Sequence, residues 1–328
     1  MGSKKIRSFR LSYDKSRLLS GERLHGEVVL ELERNLKAKQ IDLLIFGMTE
    51  TLWYETREDH RVEYSSQEVY VNSVKRLWSE TNKGTGVLTE GQHRFEFSQD
   101  IPKKAASSFR HTKVTVRYVC TCKIVRHSSW KGAIRVSAPF YVFNLVDLNC
   151  TEVGASSEAE TFKRSKEGIR FEVTLPRTGF LPGDKVHVNA VIRNETADKI
   201  KTLETSLLQS VLVRAHKRGI FVGDPNDLKE KVQEEKIGSY FQELESSAPH
   251  RYQQVNFELD LPGAVPTLLT SEILEIEYRL CFKLDIKGFA KRSLQLSVPI
   301  ILGSVQFEEC PSALQVALAD PCSLELFQ

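Results

Sequence analysis

The chain has 328 residues, 41% of them hydrophobic and 27% charged, a balance that excludes a disordered polymer and gives length for two ordinary domains. No run of 18 or more apolar residues occurs, which excludes a membrane-spanning helix within this sequence. The formal net charge of +3 conceals an asymmetry: residues 1–148 hold 25 Lys and Arg against 17 Asp and Glu, a surplus of 8, and residues 149–328 hold 21 against 26, a deficit of 5. The basic half is suited to acidic membranes, phosphorylated tails or acidic segments, with a mildly biased solvated surface as the alternative.

The N-terminal "MGSKKIRSFRLSYD" is basic without a following apolar core, so it reads as no secretory signal. Ile6 stands where a myristoylation signal needs a hydroxyl side chain. Next comes "LLSGERLHGEVVL", Leu18 to Leu30, which the chain repeats as "FLPGDKVHVNAVI", Phe180 to Ile192, at an offset of 162. Each reads as a Gly-acidic turn leading into a β-branched and aliphatic strand. Three further segments recur in the same order at an offset of 160. "FEFSQDIP" at Phe95 returns as "VNFELDLP" at Val255, "KVTVRYVCTCKI" at Lys113 as "ILEIEYRLCFKL" at Ile273, and "RVSAPFYV" at Arg135 as "QLSVPIIL" at Gln295. A period of this size predicts a domain built twice, not a solenoid.

Within "KVTVRYVCTCKI" the residues Val114, Val116, Tyr118, Cys120, Cys122 and Ile124 alternate with polar ones, the period of a half-buried strand. Cys120 and Cys122 then share a face as small apolar residues, and no nearby His–Cys spacing supplies a metal site. With six cysteines and no secretion signal, a reducing compartment is expected, and the sequon at Asn194 is set aside. "CTEVGASSEAETFKRSKEG" reads as an exposed linker. "NDLKEKVQEEKIGSYF" reads as an extended loop or strand pair, with a short helix as the alternative. The predicted organisation is a β-sandwich over 1–148, a linker over 149–168, a second sandwich over 169–304 and an acidic, apolar tail over 305–328. The class is all-β, with two tandem immunoglobulin-like antiparallel sandwiches.

No phosphate-binding loop, nucleophile elbow or zinc-protease motif is present; Gly84-Thr85-Gly86 reads as a turn. His25 and His187 occupy equivalent repeat positions, which points to packing or a turn. No catalytic, cofactor or metal residue is predicted, and a β-sandwich hydrolase stays as the rival from another class, because triads assemble across a fold. The remaining signal is cationic. Lys4, Lys5, Arg7 and Arg10 crowd the N-terminus; Lys113, Arg117 and Lys123 fall on the non-core face of one strand, with Arg110, Arg126, Lys131 and Arg135 nearby. Such a row suits phosphate or carboxylate ligands. A solvated face with interstrand ion pairs is the alternative, and nucleic acid is disfavoured by the small total charge.

"KKIRSFRLSYD", "LSGERLHGEVVLEL", "NLVDLN", "GFLPGDKVHVNAVIRN" and "VPIILGSV" together resemble the arrestin-domain-containing proteins, the α-arrestins, over about residues 1–304. The resemblance implies the arrestin fold and a non-enzymatic cytoplasmic adaptor, without cofactor. It implies binding to the cytoplasmic tails of membrane receptors or transporters, with recruitment to the plasma membrane or endosomes, and a link to endocytosis and ubiquitylation. By position, Lys4, Lys5, Arg7 and Arg10 would hold phosphorylated cargo. No Pro-Pro pair exists here, so the Pro-Pro-x-Tyr route to a ubiquitin ligase would need another adaptor. A retromer-like arrestin-fold trafficking subunit is the rival within binding proteins. The tail is expected to fold back on a groove or sheet edge, a frayed terminus being the alternative.

Overall fold

Leu18–Leu30 and Phe180–Ile192 fold the same way. Gly21 and Gly183 both sit at a φ of 91°, where a Cβ would be strained. The acidic residue after each closes the turn: Glu22 Oε2 accepts Leu19 N–H at 2.7 Å, and Asp184 Oδ2 accepts Leu181 N–H at 3.0 Å.

The computed structural model describes residues 5–57, 60–81, 86–127, 132–150, 153–218, 228–244, 251–287 and 291–307. All named elements among them are strands. The first half holds β1 (Ile6–Tyr13), β2 (Arg17–Leu19), β3 (Arg23–Leu32), β4 (Leu36–Lys37), β5 (Gln40–Arg57), β6 (His60–Ser79), β7 (Val87–Leu88), β8 (Gly91–Asp100), β9 (Phe109–His111), β10 (Val114–Val125) and β11 (Ile134–Phe143). The second holds β12 (Glu160–Lys166), β13 (Ile169–Leu175), β14 (Gly179–Phe180), β15 (Lys185–Asn194), β16 (Lys199–Lys217), β17 (Leu228–Glu243), β18 (Arg251–Asp260), β19 (Leu274–Lys287) and β20 (Lys291–Leu302).

In the first half the sheet β1-β3-β8 covers β6-β5-β10-β11-β2; in the second, β12-β13-β15-β18 covers β17-β16-β19-β20-β14. Both close with the same parallel pair, β2 on β11 and β14 on β20, in otherwise antiparallel sheets. Aromatic contacts bridge the layers: Tyr13 lies 5.8 Å from Phe140, and Phe171 6.4 Å from Phe282. His216 and Lys217 of β16 pair with Ser65 and Tyr64 of β6, so one sheet runs through both halves.

The repeat extends to the core. Val116 and Ile276 are buried at matching places on β10 and β19. Tyr118 donates its hydroxyl to Ala106 O at 2.6 Å, and Tyr278 donates to Val265 O at 2.8 Å. A buried phenol needs such a partner. Cys120 and Cys122 are fully buried on one face of β10, as the alternation predicts.

The structure departs from the sequence reading in three places. The expected linker over 149–168 contains β12, which pairs along its length with β13. Its side chains are mostly exposed because it is an edge strand, so its composition reads as a linker. "NDLKEKVQEEKIGSYF" is extended, as expected, from Leu228 on, but as one long strand paired with β16 and not as a loop, a strand pair of its own or a helix. His25 and His187 are exposed on outer sheet faces, so neither packs in the core. Asn194 of the sequon is buried, with its amide donating to Asp198 O at 2.7 Å. The expectations for Lys4 and for the tail beyond Phe307 lie outside the described residues.

Candidate functional site

β1 is an edge strand, paired only with β3 among the described residues. Ile6, Phe9, Leu11 and Tyr13 lean on the core. The pairing slips between Ile6 and Ser8, which resets the two-residue period and leaves Lys5, Arg7 and Arg10 all exposed. Lys5 donates to Asn35 O at 2.9 Å, and Arg7 meets Glu31 at 3.2 Å. Arg10 has no carboxylate within 4.0 Å among the described residues; across β3 its register leads through Val29 to Arg94. The strand thus offers an open main-chain edge beside three cations.

Of the other predicted cations, Arg117 and Lys123 lie on β10, in the opposite sheet, and Lys113 just precedes it. Arg117 pairs with Glu50 at 3.6 Å. Lys123 stands in register with Asp42 of β5 on one side and Arg135 of β11 on the other. Arg76 of β6 reaches the same Asp42 at 3.0 Å. The row across the sheet therefore runs Arg135, Lys123, Asp42, Arg76, three cations with one carboxylate. Lys113, immediately before β10, is ten residues from Lys123, roughly 33 Å along an extended chain, so both cannot hold one phosphate. Leu44, Phe46, Val74 and Val119 lie between the ends of this face in the same register rows. The seven predicted residues are therefore not one site. Lys5, Arg7 and Arg10 share β1, Lys123 joins Arg135 and Arg76, and Arg117 and Lys113 stand apart.

The sequence marked the two segments of the junction between the halves but not their partners. "NLVDLN" runs beside "GSV": Val146 N–H donates to Ser304 Oγ at 2.8 Å, Leu148 N–H to Val305 O at 3.2 Å, and Asp147 bridges Val305. A Cβ on Gly303 would lie 2.6 Å from the Leu148 side chain, so only glycine admits this approach. Buried Asn144 accepts from Ser107 Oγ at 2.5 Å and donates to Thr267 O at 2.9 Å, tying the halves together. On the far side, Ser271 Oγ donates to Glu68 at 2.5 Å and Thr51 Oγ1 to Arg214 O at 2.9 Å. Lys229 and Lys231 of β17 grip Glu55 of β5 and hold its carboxyl down at about 2. Nothing in the linear pattern marks these partners; only "NLVDLN" and the closing glycine carried a signal.

The strongly raised groups are interior. Burial pushes the Cys120 thiol up to about 11 and Cys122 to about 12, and it raises the phenols of Tyr13, Tyr70, Tyr118 and Tyr278. These are neutral core groups, not a set poised around a cleft. Among the described residues no cluster of His, Cys, Asp and Glu has metal-holding geometry, and no helix is long and apolar enough to cross a membrane.

Two family models match in order: "Arrestin (or S-antigen), N-terminal domain" over residues 9–149 and "Arrestin (or S-antigen), C-terminal domain" over 165–307. Arrestin domain-containing protein 17 of Caenorhabditis elegans is 25% identical over 305 residues, covering 87% of this chain and 67% of its own length. Thioredoxin-interacting protein of Homo sapiens is 22% identical over 312 residues, covering 92% and 75%, and its Mus musculus counterpart is 21% identical over 312 residues, covering 92% and 74%. These matches support an adaptor role of trafficking type. With both domains present in order on a twice-built all-β frame, the chain belongs to the arrestin family, among the arrestin-domain-containing α-arrestins.

Proposed function

We propose that the chain is a non-enzymatic cytoplasmic adaptor that binds the cytoplasmic tails of membrane receptors or transporters and directs their endocytosis or sorting. The observation that carries this is β1, an edge strand with an unpaired main-chain side among the described residues and with Lys5, Arg7 and Arg10 exposed along it. A tail added as a further strand gains main-chain hydrogen bonds, and the cations favour acidic or phosphorylated side chains. The group of Arg76, Lys123 and Arg135 is a second anion-attracting place on the opposite sheet. Recruitment to the plasma membrane or endosomes follows from the cargo; within these residues, which contain no Pro-Pro-x-Tyr, any link to a ubiquitin ligase would need another adaptor.

The test is fluorescence anisotropy of a labelled acidic, phosphoserine-containing peptide against the wild type and the Arg7→Glu/Arg10→Glu variant. Both side chains are exposed, so the fold should persist. Reversing two cations should weaken binding about tenfold, with the gap shrinking as salt is raised. Equal affinity in the two proteins would remove β1 from the account.

A further inference from the structure

A pocket of about 410 Å³ opens where the two halves meet, away from the cations of β1 and β10. Lys103 and Lys104 line it from the first half, and Thr267 and Leu269 from the second; the connecting segment adds Asn144 and Leu145. Its polar lining is one-sided. Both lysines are exposed and have no carboxylate within 4.0 Å among the described residues, and no Asp or Glu is among the described residues that line the pocket.

Two further lining groups are buried and have donor capacity left. Asn144, 6% exposed, spends one Nδ2 hydrogen on Thr267 O; an amide nitrogen has two, and the other has no acceptor among the described residues. Thr267, also 6% exposed, accepts from Leu302 N–H at 3.0 Å, and its own hydroxyl hydrogen has no acceptor among the described residues. The remaining wall is apolar. Leu145 and Leu269, from opposite sides of the junction, are 42% and 53% exposed at the same hollow.

Cations and spare donors without a carboxylate call for an anion that accepts several hydrogen bonds. Two uncovered leucines call for an apolar body. Inorganic phosphate leaves the leucines bare, and a neutral lipid leaves the lysines unanswered. A peptide C-terminus adds N–H donors that no carboxylate among the described lining residues answers. We propose that the junction pocket binds a medium-chain organic carboxylate, its head taken by Lys103, Lys104 and the Asn144 and Thr267 donors and its chain laid along Leu145 and Leu269. The volume is in the range of pockets that take small organic ligands, enough for about ten carbons. Because each half supplies part of the wall, the ligand ties the halves together.

Cys150 lines the same pocket and is exposed, which makes it a reporter. The experiment follows alkylation of Cys150 in the full chain by N-ethylmaleimide, resolved by peptide mass spectrometry, with decanoate below its micelle concentration and decanol as the neutral counterpart. Decanoate is expected to slow alkylation of Cys150 about fivefold or more at saturation and to raise the melting temperature, while Cys281 on β19 keeps its rate. Decanol should give little protection, and the Lys103→Ala/Lys104→Ala variant should lose the effect of decanoate. No slowing by decanoate, equal slowing by decanol, or undiminished slowing in the double variant would each overturn the proposal.

Discussion

Replacing Asn144 by Ala strikes the junction at its best-connected side chain. The substitution removes the acceptor for the Ser107 hydroxyl and the donor to the Thr267 carbonyl, and both partners are buried. An orphaned buried polar group costs about 1–3 kcal/mol, so two cost about 2–6 kcal/mol, less what water recovers. At about 2–4 °C per kcal/mol for domains of this size, the melting temperature should fall by at least about 4 °C, read by scanning calorimetry. Asn144→Asp should do no better at neutral pH, because it sets a carboxylate oxygen against the Thr267 carbonyl. Asn149→Ala, at an exposed bond to Gln306 O, should change stability by under about 1 kcal/mol. If Asn144→Ala melts within about 1 °C of wild type, the junction does not depend on this bond and the reasoning fails.

On the opposite sheet, Arg117→Glu with Lys123→Glu should weaken binding of an acidic or phosphorylated peptide, and added salt should reproduce the loss. Unchanged affinity would make that face merely solvated. Glu55 is held at about 2 by Lys229 and then Lys231, against 4.5 when free. The stability it lends is therefore full above pH 4.5 and lost as pH falls from 4.5 toward 2. Trp53, stacked on Tyr64 beside Lys229, should report this by fluorescence. An acid titration unaltered by Glu55→Gln would count against it. In the core, Val116→Ala should cost about 1–3 kcal/mol in urea unfolding, whereas a loss under about 0.5 kcal/mol would mean that Val116 is not packed as described.

Residues that answer only to local physics were legible. Gly21 with Glu22 and Gly183 with Asp184 are complete turns in themselves, and Val114–Val125 writes its burial into its alternation. β12 and β17 were not legible, because their patterns are set by what they pack against. β17 even inverts the usual rule: Lys229, Lys231 and Gln233 turn inward to Glu55 and Thr112, while Leu228 and Val232 stand exposed. A strand whose covered face is polar looks like a solvated loop until its partner is in place. The cations show the same limit. Sequence put Lys113, Arg117 and Lys123 on one face, but only cross-strand register revealed that Lys123 keeps company with Arg76, Arg135 and Asp42.

The central claim is that cargo adds to the cationic edge of β1. Hydrogen–deuterium exchange of the full chain, with and without a saturating acidic phosphopeptide, tests it most directly. The account predicts slowed exchange over residues 5–13, where an added strand would pair the open main-chain edge, with exchange over β12 and β18 unchanged. Binding without protection at 5–13, or with protection confined to the second half, would contradict it.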